Sequence, residues 1–235
     1  MTYGDQTRGA TTKADGAYVE LRNQILLGLL EPGSRVDYVQ LSASLGVSIT
    51  PLREALRRLE ADHLVIRNAH RDVVVAALSR EEASELVAVR RELDLLAARL
   101  AAAQMTPDEL ARARRLVASQ DDRAALRYLR DAGIPVAVGG LLNVNRAFHR
   151  MVYCGSHNQV LIQYRDAIST RTERYVILAR QLNTVRPEAY RLMHEKLLAA
   201  LEARDAAAAQ DMMRAHYLEL DLDFANVIFG QATAG

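Results

Sequence analysis

The chain has 235 residues, half of them apolar, and 30 Lys and Arg against 29 Asp and Glu give a formal net charge of +1. That near-neutrality excludes a chain-wide basic field for non-specific nucleic-acid binding, so any such contact must come from a local surface. The single cysteine, Cys154, excludes an intrachain disulfide framework, and no apolar run reaches the roughly 18 residues of a membrane span.

The opening MTYGDQTRGATTKADG has no apolar core, so residues 1–12 are expected to be a disordered tail rather than a signal peptide, in a protein of the reducing cytoplasm. A first helix is predicted from Lys13 to Leu30, with Tyr18, Leu21, Ile25 and Leu29 on one face and Glu31-Pro32-Gly33 as its stop. Leu41 to Leu64 then reads as helix, tight turn, helix. Leu41 and Leu45 lie one turn apart, Gly46 permits the bend, and Val47 can plug the corner. Ser48 and Thr50 are good N-caps and Pro51 suits a first turn, where its missing N–H would be an orphan donor anyway. Leu52, Ala55, Leu56 and Leu59 follow at i, i+3, i+4, i+7 and make one buried stripe. Arg53 and Arg57 share another face, where a major groove and its phosphates can meet them, while Glu54 and Arg58 are spaced as a surface pair. Two β-prone runs, from Leu64 to Arg67 and from Val73 to Val75, flank a polar turn, which makes a two-stranded wing. Its tip puts His70 and Arg71 within reach of a minor groove; a plain stabilising hairpin has the same pattern.

A second domain is predicted over residues 79–232, after the DNA-binding residues 13–78. Ser79 followed by Glu82 is a capping box, and the expected buried stripe is Leu86, Val89, Leu93, Leu96 and Leu100. Thr106-Pro107-Asp108-Glu109 starts another helix, and Gly133 to Gly140 breaks the pattern. Helical periodicity returns over Leu141 to Tyr153, His157 to Leu182, Pro187 to Ala203 and Asp205 to Phe229. The fold class is therefore mainly α: a winged helix-turn-helix followed by an antiparallel bundle of six helices.

Three histidines sit on apolar faces of this bundle. His194 lies among Tyr190, Leu197 and Leu201, and His216 with Met213, Leu220 and Phe224. Asn145 and His149 share one face with Phe148 and Val152. Buried imidazoles need partners, and three helices each offering one can converge on a zinc or nickel ion; three separately satisfied core histidines are the alternative.

The stretch GVSITPLREALRRLEADHLV, with AYVELRNQILLGLLEPGSRV before it, resembles the DNA-binding domain of the GntR transcriptional regulators over Gly16 to Leu78. Two positions depart from it. Ile49 stands where the family usually carries a base-contacting arginine, so specificity is expected to rest on Ser48, Thr50, Arg53 and the wing. His63 replaces the glycine that ends the recognition helix, a position of positive φ that histidine tolerates. Residues 81–229 are similar to the FCD ligand-binding domain of the FadR-type branch, through VRRELDLLAARLAA, NRAFHRMVYCGSHNQVL and MHEKLLAALEARDAAAAQDMMRAHY. Six helices imply its shorter, VanR-like form.

The resemblance implies a divalent metal held by an aspartate and three histidines, with a small carboxylate effector completing the site. His149, His194 and His216 fill the histidine positions and Asn145 the aspartate position, so metal affinity is expected to fall. Arg90 matches a position that faces the effector, and a guanidinium there pairs bidentately with a carboxylate. Arg171, Arg174 and Tyr175 are further pocket candidates from mid-helix. The expected function is a homodimeric regulator, most simply a repressor, that binds a pseudo-palindromic operator in double-stranded DNA and is released by effector. The competing readings are a metal-free pocket, a module that has lost DNA affinity, and a metalloenzyme in which the three histidines activate water. The enzyme would need a general base, and Asp94 and Glu195 are the nearest acids.

Overall fold

The computed structural model describes residues 12–68, 72–132, 141–182, 187–220 and 228–230. The chain divides into two compact units, one reaching Ala76 apart from Leu26–Gly28, the other made of Leu26–Gly28 and the chain from Ala77 onward.

The first unit holds α1 (Lys13–Leu26), α2 (Tyr38–Leu45), α3 (Ile49–Ala61), β1 (Val65–Arg67) and β2 (Val73–Val75). α1 stops four residues before the sequence expectation. Gly28 takes φ +75° and the N–H groups of Leu29 and Leu30 both turn back to the Gln24 carbonyl, which leaves Leu29 71% exposed instead of in the core. Asp37 caps α2 by accepting from the N–H groups of Val39 and Gln40. Gly46 at φ +63° closes it, with its N–H on Ala43 O and that of Val47 on Ser42 O. Those two bonds satisfy carbonyls that a helix end leaves open, and the left-handed φ they need is the reason for glycine.

α3 buries Leu52, Ala55, Leu56 and Leu59 as the spacing predicts. His63 takes φ +57° and completes the same motif, donating to Glu60 O while Leu64 donates to Leu59 O. Arg58 does not pair with Glu54. It reaches Asp15 on α1 at 2.7 Å and covers the Tyr18 ring, whose hydroxyl donates to Asp62 at 2.5 Å. β1 and β2 pair antiparallel with Val65 opposite Val75, and Arg35 adds a bridge to Val74, so the wing has a third edge beyond the two strands expected. His70 and Arg71 lie outside the described residues.

The second unit holds α4 (Arg80–Gln104), α5 (Pro107–Ser119), α6 (Asp122–Asp131), α7 (Leu141–Cys154), α8 (Gln159–Leu182), α9 (Pro187–Glu202) and α10 (Ala206–Leu220). These are seven helices among the described residues, not six, and the basis for the shorter form goes with the count. The segment after Thr106 breaks where Gln120 adopts φ +49° and Asp121 caps the new helix by accepting from the Arg123 N–H. A left-handed glutamine leaves no periodicity signal, so the two helices read as one. The stretches 133–140 and 221–227, where a break and a helix continuation were expected, lie outside the described residues.

The buried face of α4 is also rotated from the expected stripe. Val89 is exposed, whereas Ala83, Leu86, Arg90, Asp94, Ala97 and Ala101 are buried. Alanines let α10 and α9 approach α4 closely, and the charged pair is tolerated because the opposing helices supply its partners.

Candidate DNA-contacting face and buried histidine centre

The exposed side chains of α3 include Ile49, Thr50, Arg53, Glu54 and Arg57, with Ser48 exposed at the N-cap and Pro51 half-buried in the first turn. Arg53 and Arg57 hold no ion pair or hydrogen bond among the described residues, in contrast to Arg58 and Arg67, which are tied to Asp15 and Glu60. The amphipathic stripe that packs α3 therefore turns two guanidiniums and a helix N-terminus outward, the arrangement that phosphate and base-edge contacts require.

In the second unit His149 on α7, His194 on α9 and His216 on α10 converge. All three are at least 97% buried, and one ligand nitrogen from each lies within 4.8 Å of the others. The Nε2 atoms of His149 and His216 are 3.0 Å apart, and the His194 ring stacks over that of His216 with centroids 5.5 Å apart. Phe148 closes one side at 4.4 Å from the His194 ring. Burial, then the charges of His216, His194, Arg90 and Arg165, hold the His149 pKa well below 6.5, so the ring is neutral. Neutral imidazole is the metal-ligating form.

The group fits a divalent ion. Bonds of about 2.0–2.1 Å need nitrogens roughly 3.4 Å apart, which small ring rotations reach. Asn145 stands one helical turn before His149 and is 93% buried; its Oδ1 has no hydrogen-bond partner among the described residues. A buried carbonyl left so is costly unless something coordinates or donates to it. His149 Nδ1 is likewise without a partner.

Beside the histidines is a cavity of about 60 Å³ walled by α4, α6, α7 and α8. Arg90, Arg146, Arg150 and Arg165 give it guanidiniums beside the neutral Asn145, His149 and Tyr153, Glu173 adds one carboxylate, and Leu129, Val176 and Ile177 make an apolar end. Asp94 neutralises part of that charge. It accepts from Arg165 Nε at 2.7 Å and from the Tyr217 hydroxyl at 2.6 Å, with Arg90 at 3.6 Å. Burial alone would raise its pKa, yet Arg165 and Arg90 hold it below the ordinary carboxylate value. Arg146 pairs with Glu173 at 2.6 Å and Arg150 with Asp166 at 3.3 Å.

Arg90 thus lines the cavity, together with Asn145 and His149. Arg171, Arg174 and Tyr175 do not. Arg171 binds Glu82 through Nε at 3.0 Å, and Tyr175 donates to Glu82 at 2.5 Å while accepting the Ser79 N–H at 3.1 Å. Burial and Glu82 push the Tyr175 phenol up to about 12. The reason is one residue of helical phase: Thr172, Glu173 and Val176 face the cavity, and Arg171 and Tyr175 face the start of α4. Sequence reasoning missed Arg165, Arg146, Arg150 and the buried role of Asp94. The i, i+4 spacing of Arg90 and Asp94 was the one available signal. Glu195 pairs with Arg191 at the surface and Asp94 is enclosed by cations, so neither is placed as a general base.

Residues 85–219 match the FCD domain, and residues 13–75 match the family described as bacterial regulatory proteins, gntR family. The chain is 29% identical over 187 residues to the HTH-type transcriptional regulator McbR of Escherichia coli K12, covering 79% of this chain and 80% of that protein. It is 28% identical over 214 residues to the HTH-type transcriptional repressor GlaR of the same organism, covering 88% and 93%. Among solved structures, E. coli McbR/YncC superposes with a TM-score of 0.64 at 25% identity, covering 89% of this chain and 97% of that one. A GntR regulator from Rhodococcus sp. RHA1 superposes at 0.65 with 21% identity, covering 94% and 99%, which supports the fold alone. No described helix is long and apolar enough to cross a membrane. The chain belongs to the GntR family of bacterial transcriptional regulators, in the branch that carries an FCD domain, and it is a regulator of transcription rather than an enzyme.

Proposed function

We propose that the protein is a cytoplasmic, homodimeric repressor. It binds a pseudo-palindromic operator through Ser48, Thr50, Pro51, Arg53 and Arg57, with His70 and Arg71 at the wing tip. It leaves that operator when its second unit binds a small organic acid. The observation that carries this reading is the convergence of three buried imidazoles beside a guanidinium-walled cavity, in a chain whose other unit is a winged helix that exposes Arg53 and Arg57. His149, His194 and His216 would hold zinc or nickel, with Asn145 as a neutral fourth donor; a bound dication supplies Lewis-acid attraction for a carboxylate. Arg90 supplies a guanidinium for the same anion.

The clamp on Glu82 suggests how occupancy is transmitted. Val176 lines the cavity and packs in one cluster with Tyr175, Ala83, Leu86 and Leu78. A shift of α8 on binding therefore pulls on Ser79 and Glu82, where the chain leaves the first unit. That reorients the reading heads relative to half-sites about 34–36 Å apart.

Gel-shift titration with the adjoining intergenic DNA, across a salt series and a panel of organic acids, tests the reading. A salt-sensitive, sequence-specific complex that one acid class dissolves is the expected result. Absence of any specific complex would sink it.

A further inference from the structure

We propose that Ile49 is a base-reading residue: its side chain meets the C5-methyl group of a thymine in the major groove, one or two base pairs from the base that Arg53 contacts. This rests on the reading of α3 as the recognition helix and goes beyond it in naming the base, and the atom of that base, read at one position of the site.

α3 carries four large aliphatic side chains, and three of them, Leu52, Leu56 and Leu59, are at least 98% buried. Ile49 stands apart at 37% exposed. It lies four residues before Arg53 and eight before Arg57, so helical spacing puts the three on one face with Thr50 beside them, and all four are exposed. Ser48 at the N-cap makes no side-chain hydrogen bond to the helix and no acid stands in the first turn, so this end of α3 brings no negative charge of its own against DNA. The side chain is also held. With nearly two-thirds of its surface covered, and a branched Cβ that restricts χ1 in a helix, Ile49 presents a fixed apolar surface and loses little freedom on contact.

An isoleucine side chain can neither donate nor accept a hydrogen bond, and that decides the base. Set against guanine, adenine or cytosine in the major groove, it would cover N7, O6 or an exocyclic amine and leave that group with neither water nor partner, which is costly. Thymine alone offers a methyl group there. Ile49 and that methyl bury each other's apolar surface, so the contact is a gain for this base only. Side chains one helical turn apart are about 5–6 Å apart at Cβ, against a rise of about 3.4 Å per base pair; the thymine therefore lies one or two base pairs from the base opposite Arg53.

Selection of duplexes from a random-sequence pool by the full-length chain, without added effector, gives the site on which this is tested. The site is rebuilt with deoxyuridine in place of each thymine in turn, which removes the methyl group alone. The expected result is one thymine per half-site whose replacement weakens binding about fourfold, the worth of one buried methyl, within two base pairs of the position at which Arg53→Ala relaxes the sequence preference. Ile49→Ala, checked for folding by thermal melting, should bind the thymine and uracil duplexes equally. No loss on uracil replacement at any thymine would overturn the assignment and leave the regulator reading standing. A uracil effect that persists in Ile49→Ala would also overturn it, and would pass the methyl contact to Thr50. Failure to enrich any sequence would overturn this assignment and the regulator reading together.

Discussion

The Nε2 atoms of His149 and His216 face one another at 3.0 Å, brought from α7 and α10 into a site that Phe148 and His194 close. Two imidazoles at that distance can share one proton but cannot both be protonated without severe repulsion. The folded state therefore keeps His149 neutral, while the unfolded chain protonates it near pH 6.5. As pH falls below that value the unfolded state binds more protons than the folded one, so stability is lost on the acid side. Urea denaturation at pH 7.5 and 5.5 should show the lower midpoint at pH 5.5, and His149→Phe should flatten the difference. An equal drop in that variant would exclude His149 as its source.

Asp94→Asn should destabilise the second unit by about 3–5 kcal/mol, because it leaves Arg165 buried against a neutral group. Chemical denaturation followed by circular dichroism gives the value. A loss below 1 kcal/mol would mean that Arg165 reaches solvent.

Arg53→Ala should weaken operator binding by about 1–3 kcal/mol and leave the thermal midpoint unchanged, since the side chain is exposed. Arg58→Ala should do the reverse, because its guanidinium joins Asp15 and the Tyr18 ring within the fold. Gel shift and thermal melting of both variants separate the two roles.

Gly155→Ala should cost about 1–3 kcal/mol, the range for an overpacked core. An added Cβ would lie 2.3 Å from Met105 Cγ and 3.0 Å from the Met151 carbonyl oxygen, and Met105 is itself buried. A thermal midpoint equal to that of the unsubstituted protein would show that Met105 has another rotamer.

Tyr175→Phe removes the hydroxyl that joins Glu82 to the Ser79 N–H. Backbone amides over 79–83 should exchange faster with solvent, while the thermal midpoint of the chain changes little. Unchanged exchange would locate the hold on α4 in Arg171 alone.

The recognition helix was legible because its determinants are local. Four apolar residues at helical spacing bury one face of α3, so Arg53 and Arg57 must turn outward. His63 at positive φ could be anticipated from the same stretch. The α4 stripe was not legible, for a physical reason. Leucines advertise a core face, yet the buried face carries alanines and the Arg90 and Asp94 pair, which become core residues only when α8 and α10 supply Arg165 and Tyr217. Arg171 and Tyr175 differ from the cavity wall by one helical step, and periodicity cannot tell which of two buried faces meets a pocket.

By itself the sequence determined the two-part organisation, the DNA-reading helix and the three histidines, since each follows from spacing along one element. Only the tertiary structure decided that the histidines meet within 4.8 Å, that Asn145 lines the same cavity as His149 with an oxygen unpartnered among the described residues, and that the guanidiniums beside them are answered by Asp94, Glu173 and Asp166. Those relations span three to five helices. Coulomb energy and ligation depend on distances through space, and separation along the chain does not encode them.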